Sequence, residues 1–304
     1  MTRIVFLGTP DPAVPTLRAL GEEHEVALAV TQPDRPVGRS SRPAPSPVKE
    51  AADSMGIPVA QPESGEELLS SLQGAGTFDV GVVVAYGRIL SKDVIDLPRL
   101  GMLNLHFSLL PRWRGAAPVN RALMAGDAMT GVTIIRIDEG LDTGPVLTAQ
   151  AVDIREDENA ADLTERLAKL GSRLLAVNLP RYVSGELVPV AQSDEGATYA
   201  SKLTKEDREL GTDPDPQSFV SRVRGLAPTP GARLVIDGRP HKILRARPSS
   251  DQVPPGRWEA RQGWPVVGLE GGAVRIDSLH PPGKKPMTGE DWLRGLRAES
   301  GATG

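Results

Sequence analysis

Asn104 and His106 stand two places apart near the end of an apolar segment, GMLNLHF (101–107). In an extended strand, residues i and i+2 project to the same side. A carboxamide and an imidazole therefore emerge together at the strand's carboxyl end. An imidazole, with its pKa at about 6.5, takes and gives protons at neutral pH. A carboxamide N–H can donate to an oxygen on which negative charge develops. Asp142 lies in the glycine-flanked turn GLDTG, which could fold back over the sheet end. A carboxylate beside an imidazole orients the ring and favours its charged form. Each residue also has a plain alternative: a lone His is often a satisfied core residue, and Asp in a turn is often turn chemistry.

The elements that would position these groups follow from apolar patterning. RIVFLG (3–8), EVALAV (25–30), IPVA (57–60), FDVGVVVAYG (78–87) and GMLNLHF read as strands, with helical patterns at 13–20, 46–55, 64–73 and 117–124. VGVVVA is apolar on both faces, as a central parallel strand requires. The alternation predicts an α/β fold, a doubly wound and mostly parallel sheet, which takes ligands beyond the carboxyl ends of its strands. Tyr86 and Asn104–His106 both fall at such ends. GVTIIRID (131–138) and PVLTAQAVDI (145–154) predict an antiparallel pair, followed by a helix over 159–177 with Leu163, Leu167, Leu170 and Leu174 in its core stripe.

The expected first domain spans 1–187 and the linker 188–206, where periodicity fades. The second domain, 207–304, is expected to be a small OB-like β-barrel. Its helix is placed at 216–224 and its strands in ARLVIDG, HKILRAR, WPVVGL and AVRIDSL. The tail ESGATG is expected to be disordered.

Composition narrows the function classes. No cysteine is present, which removes disulfides, thiolate metal sites and a cysteine nucleophile. The four histidines are scattered without metal-ligand spacing, so no metal is expected. GTPDPAVP (8–15) has one glycine where a dinucleotide fingerprint needs three, and it reads as a strand–helix turn capped by Asp11 or as a substrate loop. No bilayer-length apolar run and no signal-peptide pattern are found, and a cytoplasmic monomer is expected. The chain's formal net charge is −4, yet residues 206–304 hold fifteen Lys/Arg against thirteen Asp/Glu. Arg222, Arg224, Arg233, Arg239, Lys242, Arg245 and Arg247 face only Asp237 within 222–247, a local basic patch suited to nucleic acid. QPDRPVGRSSRPAPSPVK (32–49) is a second basic stretch, a proline-rich loop with no periodicity, carrying Arg35, Arg39, Arg42 and Lys49.

NLHFSLLPRWRGAAPVNRAL followed by GVTIIRIDEGLDTGPVL resembles the catalytic signature of the folate-dependent formyltransferases. FLGTPDPAVPTL, TQPDRPVGR with SPVK, ATYASKLTKED (197–207) and VRGLAPTPGA (223–232) resemble those members that act on methionyl initiator tRNA. The resemblance implies formyl transfer from 10-formyltetrahydrofolate to the α-amino group of that tRNA, without a metal. It implies that Asn104, His106 and Asp142 are catalytic. Ser108, Leu109, Leu110 and Pro111 would line the folate site, with Tyr86, Gly87, Arg88, Ile89 and Leu90 offering backbone groups to the pterin ring. The loop 32–49 would insert into tRNA, with Arg39 as its key cation, and the 222–247 patch would meet phosphates. Two departures stand out: Ser40, Ser41 and Arg42 replace a common Gly-Lys-Lys, and RELGTD, which contains Gly211 and Thr212, replaces an acidic-tryptophan pair. The alternatives are a formyltransferase for a small amine, a formyltetrahydrofolate hydrolase, and a non-catalytic RNA-binding protein on the same scaffold.

Overall fold

The computed structural model describes residues 1–36, 43–211, 215–296 and 298–304. They form two compact units. The first comprises 1–116, 130–152 and 164–200, and the second 117–129, 153–163 and 201–304.

In the first unit the chain runs β1 (Arg3–Gly8), α1 (Val14–Glu23), β2 (Glu25–Val30), β3 (Arg35–Pro36), β4 (Pro43–Ala44), α2 (Pro47–Ser54), β5 (Val59–Ala60), α3 (Gly65–Gly74), β6 (Val80–Val84), α4 (Lys92–Ile95) and β7 (Met102–His106). After α5 (Pro118–Met124) come β8 (Met129–Arg136), β9 (Val146–Asp153) and α6 (Ala160–Val183). The sheet order is β5-β2-β1-β6-β7-β8-β9. β5 to β7 are parallel and β8 runs antiparallel to β7. β6 is buried along its whole length, as its uninterrupted apolar run VGVVV requires.

Three local expectations need correction. Asp11 makes no side-chain cap, since Pro10 is the N-cap of the 3₁₀ turn Asp11–Ala13. The loop 32–49 contains the short antiparallel pair β3–β4 and the start of α2, whose N-cap Ser46 accepts from the Lys49 N–H at 3.1 Å. Helix α6 is longer than expected. Leu163 and Leu167 are buried, but Leu170 and Leu174 are only partly so, and Leu175 and Leu179 continue the buried stripe. At 100° per residue the buried face, which carries Ala168, Gly171, Leu175 and Leu179, is turned to one side of the stripe of the four leucines, so Leu170 and Leu174 fall at its edge. Gly171 lies where the helix meets β7, and a Cβ there would stand 2.6 Å from the Leu105 Cδ2 atom.

The second unit takes α5 from the middle of the chain and continues through α7 (Pro216–Leu226), β10 (Ala232–Ile236), β11 (Arg239–Ser249), β12 (Arg257–Arg261), β13 (Trp264–Leu269), β14 (Gly272–His280), β15 (Met287–Thr288), α8 (Gly289–Arg294) and β16 (Ser300–Ala302). Its antiparallel sheet has the order β10-β11-β14-β13-β12-β16 and curls on itself, as an OB-like domain should. The tail that reads as disordered in sequence closes this curl. β16 pairs with β12, Thr303 bridges Ile236, and the Asp237 N–H donates to the Ala302 carbonyl at 2.9 Å. Small residues supply little side-chain signal, but backbone pairing needs none. Phe219, Trp258, Ile276 and Leu279 lie in the core, and the Trp258 Nε1–H donates to Asp237 at 3.1 Å.

Candidate active site

Strand β7 presents Asn104 and His106 at its carboxyl end, and the turn after β8 brings Asp142 to them. The Asn104 Nδ2 donates to Asp142 Oδ1 at 3.2 Å, and His106 Nδ1 lies 3.6 Å from Asp142 Oδ2. The Gly115 N–H donates to that same Oδ2 at 2.8 Å, so both carboxylate oxygens are held. His106 is 5% exposed, and its Nε2 is 2.8 Å from the Trp113 carbonyl. A carbonyl only accepts, so Nε2 carries the hydrogen. In the neutral ring the lone pair therefore sits on Nδ1, facing the Asp142 side. The first unit thus brings together all three residues singled out from the sequence.

The walls around them are more varied than the sequence suggests. Ser108 is fully buried; its hydroxyl donates to the Arg112 carbonyl at 2.6 Å, and its carbonyl accepts from Thr133 Oγ1 at 2.7 Å. Its hydroxyl therefore shapes the loop rather than lining a ligand site. Leu109, Leu110 and Pro111 are half-buried. The Tyr86 side chain is buried, and its carbonyl accepts from Thr9 Oγ1 and Gln32 Nε2, each at 3.2 Å. That carbonyl is thereby occupied, which removes it from the backbone groups expected to meet a ligand. Among the described residues the Tyr86 hydroxyl has no partner, and burial raises its pKa. Gly87 is exposed, Leu90 is half-buried and Ile89 is 96% exposed, while Arg88 donates to the Pro62 carbonyl at 3.0 Å. Thr9, Gln32, Thr133, Trp113 and Gly115 were not singled out in the sequence. They act through backbone, hydroxyl and carboxamide bonds that leave no pattern of spacing.

The basic residues divide into internal and exposed groups. Lys49 pairs with Asp34 at 2.8 Å and donates to Gln61 at 2.7 Å; the Lys49 bond, with one from Gln61 Nε2 at 2.6 Å, holds the Asp34 carboxyl below its usual range. Arg222 donates to the carbonyls of Asp207 and Glu209 at 3.1 and 2.9 Å. Arg224 is half-buried and donates to the carbonyls of Glu158, at 2.8 Å, and Arg155. Burial pushes its guanidinium pKa down, while Glu158, Asp157 and Glu156 oppose that. These three cations hold their own unit together, which corrects their expected role as phosphate contacts. Arg233 pairs with Glu209 at 3.3 Å and Arg247 with Asp277 at 2.8 Å. Arg35, Arg239 and Arg245 are exposed, and Lys242 is half-buried. Arg39 and Arg42, like Ser40, Ser41 and Thr212, lie outside the described residues. Among the described residues no His/Asp/Glu cluster is arranged for a metal, and no helix is long and apolar enough to cross a membrane.

A parallel α/β sheet with an Asn-His-Asp cluster at its carboxyl edge defines the class, and the chain belongs to the formyl transferase family. The family's sequence profile matches residues 2–179, and that of the formyl transferase C-terminal domain matches residues 202–297. The methionyl-tRNA formyltransferase of Halorhodospira halophila is 47% identical over 98% of both chains. That of Paracoccus denitrificans is 44% identical over 97% of both. Among solved structures, the N-formyltransferase from Helicobacter canadensis in complex with folinic acid and dTDP-3-aminofucose shares the fold, with a TM-score of 0.70. It is 17% identical and covers 91% of this chain and 99% of its own.

Proposed function

We propose that this protein transfers the formyl group of 10-formyltetrahydrofolate to the α-amino group of methionyl initiator tRNA, for translation initiation. One observation carries the reading: Asn104, His106 and Asp142 assemble at the end of β7 in a chain 47% identical, over nearly its whole length, to a methionyl-tRNA formyltransferase. Half-buried Leu109 and Leu110 after β7, and half-buried Leu90 with exposed Gly87 after β6, suit a flat ring that needs apolar walls and backbone hydrogen bonds. The folate donor is a substrate of the reaction, and the residues at the ends of β6 and β7 would hold it.

In this reading each polar group has a task. The amine attacks the formyl carbon, and negative charge develops on the formyl oxygen. One Nδ2 hydrogen of Asn104 is engaged by Asp142, which leaves the second for that oxygen. His106 Nδ1 takes the proton released by the amine, and the resulting imidazolium faces the Asp142 carboxylate. The proton then passes to the departing folate nitrogen. Neither a metal nor a covalent enzyme intermediate is needed. The exposed cations Arg239 and Arg245 of the second unit, with Arg35 of the first, would meet tRNA phosphates, giving salt-dependent binding with little base specificity.

The test is formyl transfer from 10-formyltetrahydrofolate to aminoacylated initiator tRNA, with free methionine, uncharged tRNA and no acceptor in parallel. Product with the charged tRNA alone supports the reading. Formate released whatever the acceptor would make the protein a hydrolase. Folate binding with neither reaction would point to a small-amine acceptor.

A further inference from the structure

Asp142 has φ of +53°, a backbone region that non-glycine residues adopt only when their surroundings impose it. Asp138 braces the first half of its turn, accepting from the Gly140 N–H at 3.1 Å and from Thr143 Oγ1 at 2.8 Å. The second half is braced from a distant part of the chain. Gln192 Nε2 donates to the carbonyls of Asp142 and Gly144, at 3.1 and 3.0 Å.

Arg114 determines which way that carboxamide faces. Its side chain is nearly fully buried. Its Nε and Nη2 donate to Gln192 Oε1 at 2.9 and 2.7 Å, while Nη1 pairs with Asp194 at 2.9 Å. A guanidinium only donates and a carbonyl only accepts, so the reverse orientation of the amide would set like against like on both sides. Arg114 also lies between the two residues that hold the catalytic side chains, since Trp113 accepts from His106 and Gly115 donates to Asp142. The contacts close a ring: Asp142 carboxylate, Gly115, Arg114, Gln192, Asp142 carbonyl. The segment around Gln192 is itself fastened to this ring. The Arg114 N–H donates to the Thr198 carbonyl at 2.9 Å, the Ala200 N–H to the Arg114 carbonyl at 2.7 Å, and the Trp113 N–H to Thr198 Oγ1 at 2.9 Å.

We propose that Gln192 is a positioning residue of the catalytic centre, holding the Asp142 turn through two backbone carbonyls while Arg114 fixes its orientation. The proposal rests on the formyl-transfer reading for the role of Asp142, but not for the geometry. A displacement of the carboxylate by about 1 Å is enough to lower a catalytic rate by up to about a hundredfold.

Gln192→Glu separates this from a purely structural role. The substitution keeps an oxygen for Arg114, with added charge, but turns a second oxygen toward the carbonyls of Asp142 and Gly144. If Gln192 served only to satisfy Arg114, the variant would be as active and as stable as the parent. Positioning predicts a kcat lower by about 10- to 100-fold, KM for both substrates within about twofold, and a melting temperature within a few degrees. A second readout needs no turnover: with ¹⁵N-glycine labelling, the Gly115 amide resonance, which reports its bond to Asp142, should shift in the variant. Gln192→Met, similar in length and without either polar group, serves if the Glu variant is unstable, and the same two readouts are expected from it. An unmoved Gly115 resonance with unchanged kcat in a folded variant overturns the proposal. A parent protein without formyl transfer would overturn the functional reading instead, and the Gly115 resonance would still decide the role of Gln192.

Discussion

Gly115 donates its backbone N–H to Asp142 Oδ2 at 2.8 Å from a conformation with φ of +119°, and a Cβ at this position would lie 2.8 Å from the Ala200 carbonyl oxygen. The Asp142 carboxylate is thus held by a residue that has to be glycine for two separate reasons. Gly115→Ala should destabilise the protein by about 1–3 kcal/mol, from backbone strain alone. Because the clash is with backbone, the N–H must move, and kcat should fall by at least about tenfold. Urea unfolding and steady-state kinetics on the same preparation check both.

His106→Ala removes the group assigned to carry the proton, and Asp142→Asn sets an amide N–H2 against donors from Asn104 or Gly115. Each should lower kcat by about 10²–10⁴-fold, the range of general acid–base contributions. Binding of the charged tRNA, measured by filter retention, should survive in both. A His106→Ala variant of near-parental activity would end the assignment.

The cations of the second unit should divide into two behaviours. Arg224→Ala strips bonds from the carbonyls of Glu158 and Arg155, and is expected to lower stability by about 1.5–3 kcal/mol, as for charge-assisted hydrogen bonds. Arg245→Ala should leave stability within about 0.5 kcal/mol and instead reduce the slope of log K for tRNA against log salt by about one. Thermal melts and binding at several salt concentrations separate the two. Equal behaviour of the two variants would refute the division.

Asp207 takes a bidentate pair from Arg121, at 2.7 and 2.8 Å, and a bond from the Thr204 N–H at 2.8 Å. The Arg121 bond is the first cause of its pKa lying below the ordinary value. A group with a depressed folded pKa stabilises above its unfolded pKa of about 3.9, and that contribution is lost as pH falls through the folded value. Asp207→Asn should therefore cost about 2 kcal/mol at pH 7. The gap to the parent should narrow below about pH 4. Unfolding free energies across that range test the sign.

The site was legible where chemistry follows local spacing. Asn104 and His106 share a strand face by simple alternation, and a glycine-flanked turn announced Asp142. The sheet was legible because valine-rich runs such as VGVVV have one reading in a parallel core. What escaped was long-range or carried by the backbone. Gln192 sits in an aperiodic segment, and nothing local shows that its amide meets Arg114. In β12, RWEAR hides the buried Trp258 between charged neighbours. Lys49, Arg222 and Arg224 read as surface charge because a sequence does not show which carbonyls a guanidinium or ammonium will find.

Trp113 and Arg114 are fastened by residues 85 and 78 positions further along the chain, Thr198 and Gln192. During synthesis all three catalytic candidates therefore leave the ribosome well before the segment that fixes them. A nascent chain halted at residue 179, where the first family profile ends, would carry Asn104, His106 and Asp142 with half of the Asp142 turn unbraced. The newly made enzyme should thus turn over slowly until residue 200 has emerged, and a fragment trimmed to the profile's limits should bind more readily than it turns over.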